Sequence, residues 1–299
     1  MTRDYEEYLK DDNLHINWYP GHMKKTKEKV QNNLKLVDVV IELLDARIPL
    51  SSKNPEIDKL AQNKPRVVVL NKSDLSDKAK LNKWISYYQS KGIKAIPVDT
   101  LKGNGVNKIV EECKNATKEK MDALKEKGRK ERAIRVMIVG VPNVGKSSLI
   151  NKLTGRKSTQ TGDRPGVTKG KQWVRLKGNL ELLDTPGILW PKFEDQKIAL
   201  NLAFTRAIKD EILDIDTLGL KFIEKMSEIE PEKLKARYKL DSLGEEPLET
   251  MEMIGRKRGF ILGRNELDYT RIAKTVLNEF REGKLGQITL EVPEDIEEA

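Results

Sequence analysis

The sequence predicts an α/β protein: a mostly parallel sheet with helices on both faces, followed by a smaller all-helical domain. Three observations lead there. Short aliphatic, β-branched runs alternate with helical patterns over the first two-thirds of the chain, as in a parallel sheet covered on both sides. Two polar motifs stand directly behind such runs, where open α/β sheets bind ligands. Beyond about Phe193 the strand signals nearly vanish and amphipathic helical spacing takes over.

The first strand is expected over residues 37–44, where Val, Ile and Leu crowd as in a strand buried on both faces. A second covers 66–70 and runs into Asn71. A short third covers 95–98. A fourth covers 134–139 and runs into Gly140, and a fifth covers 180–183 and ends at Asp184. Helical patterns fill 77–89, 107–127 and 146–153. The stretch 114–135, rich in Lys, Arg and Glu, reads as a solvated helix and a linker. Further helices are expected over 197–210, 216–226, 231–238 and 269–280. The domain boundaries follow: 13–193 for the sheet domain and 194–290 for the helical domain. The acidic end, 291–299, is expected to be disordered.

Composition narrows the class. A chain of 299 residues suggests two domains, at roughly 150 residues each. A net charge of +9 with 34% charged residues favours an anionic partner such as RNA. The single Cys113 excludes an internal disulfide and suits a reducing cytoplasm. The opening 12 residues are polar and acidic, unlike a signal peptide. No apolar run approaches the ~20 residues that span a bilayer. A cytoplasmic protein without membrane contact is expected.

Gly140-Val141-Pro142-Asn143-Val144-Gly145-Lys146-Ser147-Ser148 fits GxxxxGK[ST] between a strand and a helix, the context that makes the motif specific. Glycines let the backbone approach phosphate, and amides at the helix start donate to it. Lys146 would neutralise the β- and γ-phosphates, and the Ser147 hydroxyl would bind Mg²⁺. Downstream, Asp184-Thr185-Pro186-Gly187 reads as DxxG, with Asp184 on Mg²⁺ and the Gly187 amide on the γ-phosphate. Alone, DxxG is a common turn; its place after a phosphate loop gives it meaning. Between them, Thr168 in Arg164-Pro165-Gly166-Val167-Thr168 is the candidate to close on Mg²⁺ and the γ-phosphate, with a plain turn as the alternative.

Asn71-Lys72-Ser73-Asp74 reads as a guanine selector. A carboxylate at Asp74 accepts two hydrogens from the Watson–Crick edge of guanine, a pattern adenine lacks. That disfavours an ATPase. The alternative is an Asx-type turn into the next helix. Asp99-Thr100, behind the third strand, is the candidate for the remaining base loop, although it departs from the usual Ser-Ala. The selector precedes the phosphate loop, the reverse of the ordinary GTPase order.

Together these motifs resemble the circularly permuted GTPases, and most closely the bacterial ribosome biogenesis GTPase A (YlqF) family. Asn17-Trp18-Tyr19-Pro20-Gly21-His22-Met23, Asp45-Ala46-Arg47-Ile48-Pro49 and Leu189-Trp190-Pro191 carry the likeness further. It covers essentially the whole chain. The resemblance implies GTP/GDP as ligand and a low intrinsic GTPase rate stimulated by the ribosomal particle. It implies a role late in maturation of the large (50S) subunit, with binding of the precursor and its rRNA in the GTP state and release on hydrolysis. An RNA-binding helical domain and a monomer are expected with it. Ile188 stands where many GTPases carry a water-orienting Gln; the resemblance points to His22 for that role, with a structural His as the alternative. It also implies that Asn143 helps hold K⁺ near the phosphates, or else is an Asn tolerated in a tight turn. Two rival functions are a GTPase switch in another RNA process, such as tRNA modification, and an RNA chaperone with a structural nucleotide site.

For RNA, the helical domain offers Arg256, Lys257, Arg258, Arg264, Arg271 and Lys274, beside Phe260 and Tyr269. Such cations attract phosphate and the aromatics stack on unpaired bases, though a solvated helix face has the same composition. Lys24, Lys25, Lys27 and Lys29 are a second basic candidate.

Overall fold

The structure, a computed structural model, describes residues 23–61, 64–154, 173–183, 195–263 and 266–296. The described chain divides into two compact units, residues 195–290 and residues 23–183 with 291–296.

The larger unit opens with helix α1 (Met23–Leu34) and strand β1 (Val39–Asp45), followed by α2 (Pro55–Leu60), β2 (Arg66–Asn71), α3 (Lys78–Ser90), β3 (Lys94–Val98), α4 (Val106–Glu126), β4 (Ile134–Val139), α5 (Lys146–Thr154), β5 (Trp173–Leu176) and β6 (Leu180–Leu183). The strands form one sheet in the order β3-β2-β1-β4-β6-β5. All neighbours are parallel except β5 and β6. Every residue of β1 is buried, which is why its sequence shows a continuous apolar run rather than alternation. β1 and β4 are adjacent while the chain runs outward from them in both directions, so the topological switch point lies between their carboxyl ends.

The five strands expected from the sequence are present, with ends shifted by no more than two residues. β5 escaped sequence reading because Trp-Val-Arg-Leu is a four-residue edge strand with only Leu176 buried. It is fixed by its antiparallel register on β6 and by left-handed Gly178 and Asn179 in the connecting turn.

The linker into β4 is anchored at the foot of β1. The buried Asp38 carboxylate accepts from Arg132 at 2.7 and 2.9 Å, from Lys120 at 2.6 Å and from the Arg135 amide at 2.9 Å. Burial would raise the Asp38 pKa, but these donors outweigh it and hold it at about 2.

The smaller unit consists of α6 (Gln196–Phe204), α7 (Ile215–Ile229), α8 (Pro231–Tyr238), α9 (Pro247–Arg258) and α10 (Tyr269–Arg281). The helix expected over 197–210 stops at Phe204, where Arg206 turns left-handed. α9, unpredicted, starts on Pro247 and ends on left-handed Gly259. Phe222 sits between Phe204 and Phe280 at ring distances of 5.1 and 4.8 Å. Glu279 gathers Arg237, Tyr238 and Arg258 within 2.6–3.1 Å.

The expectation of a disordered acidic end fails for residues 291–296. Glu291 is buried, and its carboxylate accepts from the amide of Leu50 at 2.8 Å, the amide of Ser51 at 3.1 Å and the Ser51 hydroxyl. Its carbonyl accepts from the Trp84 indole at 3.1 Å. A 3₁₀ turn follows (Pro293–Ile296), with Glu294 paired to Lys83 at 2.9 Å. The acidic side chain here is an acceptor for buried backbone donors, a role composition alone does not reveal.

Candidate nucleotide-binding site

The phosphate loop leaves β4 at Gly140 and enters α5 at Lys146. A Cβ on Gly140 would lie 2.5 Å from the Leu43 carbonyl oxygen, so only glycine lets the loop pass β1 this closely. Asn143 (φ 57°) and Gly145 (φ 107°) are both left-handed and fold the loop back over the helix start. The first-turn amides of α5 are left for a ligand by helix geometry. Lys146 Nζ donates to the carbonyls of Gly140 at 2.8 Å and Val141 at 2.6 Å. Burial lowers its pKa to about 8. Ser147 is exposed at the first turn; Val144 is buried, and Ser148 is half-buried.

The base selector is bound to this loop. Asn71, the last residue of β2, is buried. Its Nδ2 donates to the Val144 carbonyl at 2.7 Å, while its Oδ1 accepts from the Thr100 amide at 3.2 Å. One side-chain amide therefore joins the selector, the phosphate loop and the base loop. Lys72, with φ 59°, sends Nζ to the Asn143 carbonyl at 2.8 Å and to Asp45 Oδ2 at 2.9 Å. The Ser73 amide donates to the Val98 carbonyl at 3.1 Å. Asp74 follows, half-buried.

Asp99 shapes its own loop. Oδ1 accepts from the amides of Leu101 and Lys102, both at 3.0 Å. That accounts for a carboxylate where Ser-Ala is usual: it closes an Asx-type turn that presents Thr100 to Asn71.

Sequence reasoning gave no chemical role to Asp45 and Arg47. They form a buried ion pair with Nε–Oδ1 at 2.9 Å and Nη2–Oδ2 at 2.8 Å. Burial would raise the Asp45 pKa, but the Arg47 guanidinium and Lys72 ammonium hold it well below the usual carboxylate range. The available signal was a charged pair two residues apart at the end of an apolar strand.

His22, Thr168, Asp184 and Gly187 lie outside the described residues, as do Arg264, residues 17–21 of the opening motif and residues 189–191. Among the described residues, no cluster of three His, Cys, Asp or Glu side chains would hold a metal ion. None of the described helices is long and apolar enough to cross a membrane.

A phosphate loop tied to an Asn-Lys-x-Asp loop at the carboxyl edge of a parallel sheet suits a guanine nucleotide. Comparison with known proteins agrees. Residues 135–248 match the family model described as 50S ribosome-binding GTPase; the selector at 71–74 precedes this stretch, as the permuted order requires. Ribosome biogenesis GTPase A of Bacillus cereus is 50% identical over 283 residues, covering 95% of this chain and 96% of that protein. The protein of the same name from Thermotoga maritima is 32% identical over 281 residues, covering 94% and 96%. The solved structure of GNP-bound YlqF from T. maritima is similar with a TM-score of 0.62 at 28% identity, covering 90% of this chain and 99% of that one. The GDP-bound structure gives 0.61 at 27%, covering 89% and 100%. With relatives matching from end to end and the base selector fastened ahead of the phosphate loop, the chain belongs to the ribosome biogenesis GTPase A family and is a circularly permuted GTPase that binds and hydrolyses GTP.

Proposed function

We propose that this GTPase is an assembly factor acting late in maturation of the large ribosomal subunit, binding the precursor in its GTP state and leaving on hydrolysis. The observation that carries the nucleotide half is the Asn71 amide bridging Val144 and Thr100, which makes base and phosphate recognition one rigid unit. The partner half rests on the family and on exposed cations in the helical domain. Arg256 and Lys257 end α9 exposed, and Lys274 is exposed on α10. Arg258 is partly engaged by Glu279, and Arg271 lies 4.5 Å over the Phe260 ring. Lys257 and Lys274, with Arg256, which also reaches Glu252 at 3.9 Å, are assigned to rRNA phosphates.

At the site, Asp74 reads guanine and Lys146 meets the β- and γ-phosphates. The exposed hydroxyl of Ser147, at the first turn of α5, fits a hard cation such as Mg²⁺. Thr168 and Asp184 would complete that set, and the ion would offset phosphate charge during transfer. Asn143, exposed on the loop, would help hold K⁺, and Gly187 would sense the γ-phosphate. With Ile188 unable to orient water, His22 takes that part. The protein works as a cytoplasmic monomer, with domains 13–193 and 194–290 and a return segment from 291.

Single-turnover GTP hydrolysis, with and without large ribosomal subunits, tests the reading. The rate should rise on adding subunits, and the protein should cofractionate with large-subunit precursors when GTP hydrolysis is blocked. An unchanged rate and no cofractionation would overturn it. Asp74→Asn should shift preference from GTP toward xanthosine triphosphate.

A further inference from the structure

Lys72 is held from two sides in an unusual conformation. Its backbone is left-handed, φ 59°, and the carbonyl it reaches belongs to Asn143, itself left-handed at φ 57°. A lysine gains nothing locally from that region. Such outliers persist when their surroundings enforce them, and they concentrate at ligand sites. The surroundings here are the Asn143 carbonyl and Asp45.

Asp45 is well placed for this. It is the last residue of β1, in register with Asn71 at the end of β2. β1 also pairs with β4, which feeds the phosphate loop. The carboxylate therefore stands at the topological switch point, between the strand that ends in the selector and the strand that ends in the phosphate loop. Its side chain is 3% exposed, against 23% for Lys72. Arg47 already provides a local bidentate partner, so an ion pair for folding alone would be complete without Lys72.

We propose that Asp45 is a positioning residue for guanine nucleotide binding: its carboxylate pins the Lys72 ammonium so that the base selector and the phosphate loop stay in register. Arg47, in the turn just beyond β1, orients the carboxylate by holding both oxygens. The Ser52 hydroxyl, which accepts from the Asp45 amide at 3.0 Å, fixes the turn that carries Arg47. Asp45 itself touches no nucleotide; it acts through Lys72. The inference rests on the reading of Asn71–Asp74 as the base selector.

The test is a double-mutant cycle on the full chain. Fluorescent GDP affinity is measured for wild type, Asp45→Asn, Lys72→Met and the double variant, with thermal midpoints of the nucleotide-free proteins alongside. Asp45→Asn should weaken GDP binding about tenfold, as expected for losing one charge-assisted hydrogen bond. In the Lys72→Met background the same change should cost little or nothing, because its route is already gone. A structural role alone would lower the midpoints in both backgrounds and leave the two affinity losses multiplying. Multiplying losses, or wild-type affinity in Asp45→Asn, would overturn the proposal while leaving the selector intact. Wild-type affinity in Lys72→Met would instead remove the role assigned to Lys72, and the proposal with it. Should Asp45→Asn not fold, Asp45→Glu keeps a charge for Arg47 but moves it by one methylene. It should weaken GDP binding in the wild-type background and not in Lys72→Met, and equal weakening in both would refute the idea.

Discussion

The Asn71 amide donates to the Val144 carbonyl at 2.7 Å, and directly beneath it Gly145 leaves no room for a side chain. A Cβ on Gly145 would lie 2.3 Å from Asn71 Nδ2, on a backbone with φ 107°. Both the glycine conformation and the asparagine rotamer are therefore set by the same contact. Gly145→Ala must either displace Asn71 or change the loop path. Left-handed strain and a lost buried hydrogen bond together cost about 3 kcal/mol. GDP binding should fall by a factor on the order of a hundred. Far-ultraviolet circular dichroism should stay near wild type, because the contact lies beyond the carboxyl ends of the strands and not within the sheet. Near-normal binding would show that the two loops are not coupled through Asn71.

The permutation creates its own structural demand at Asp38. In the permuted order a linker must bring α4 back to β4, and Arg132 in that linker is fastened to Asp38 at the foot of β1. Asp38→Asn removes the charge but keeps the size. The cations are partly in solvent, at 37% exposure for Arg132 and 47% for Lys120, which screens their share. A loss of about 2 kcal/mol at pH 7 is expected, chiefly from weakened bonds at the buried end. Because the folded pKa, about 2, lies below the ordinary 3.8, the contribution is present above 3.8 and disappears as pH falls through 2. The difference between wild type and variant, measured by urea unfolding, should therefore shrink between pH 4 and pH 2.

Sequence patterns reveal local features well and long-range polar partnerships poorly. The β1 run of Val-Val-Ile-Glu-Leu-Leu-Asp announces a buried strand without help from the rest of the chain, and Gly-Lys-Ser behind a strand announces a phosphate loop. β5 and α9 were missed because neither carries a strong period: β5 is short and at an edge, and α9 is defined by Pro247 and Gly259 at its ends. Asp45 and Glu291 were missed for a different reason. Their partners, Lys72 and Ser51, lie 27 and 240 residues away, and charge alone does not distinguish a buried acceptor from a solvated one. Asp99, which looked like a poor match to a base loop, becomes intelligible once its oxygen is seen closing the turn.

Glu291 leads to a third prediction. Its carboxylate satisfies the amides of Leu50 and Ser51 and the Ser51 hydroxyl, all in the turn that follows Asp45 and Arg47. Ser51 is fully buried, so water cannot replace the lost acceptor. Glu291→Ala should destabilise the larger unit by about 2–3 kcal/mol. Glu291→Gln, which retains one acceptor oxygen, should cost about half as much. Ending the chain at Leu290 should be at least as harmful as Glu291→Ala, because the acceptor for Trp84 Nε1 goes too. Thermal unfolding of the three variants orders them; a truncated chain as stable as wild type would mean that residues 291–296 contribute nothing.

Glu42 is a carboxylate in the wrong place for stability. It sits mid-strand in β1, in register with Val68 on one side and Val139 on the other. It is 2% exposed, and neither oxygen has a hydrogen-bond partner among the described residues. Among the described residues the cation that reaches it, Arg66, is 3.5 Å away and is shared with Asp58. Burial raises the Glu42 pKa to about 7, with Arg66 and then Lys53 pulling only partway back. Since the folded pKa exceeds the ordinary 4.5, the folded state holds a proton that the unfolded state has released. The associated stability is complete below pH 4.5 and is lost as pH rises through 7. The full loss is about 3 kcal/mol. Glu42→Gln mimics the protonated form at every pH. It should match wild type near pH 4.5, pull ahead progressively, and be more stable by about 3 kcal/mol at pH 8. Urea unfolding of both proteins at pH 5, 6, 7 and 8 reads this directly, and a stability difference that stays constant with pH would mean that Glu42 is ionised in the folded protein throughout.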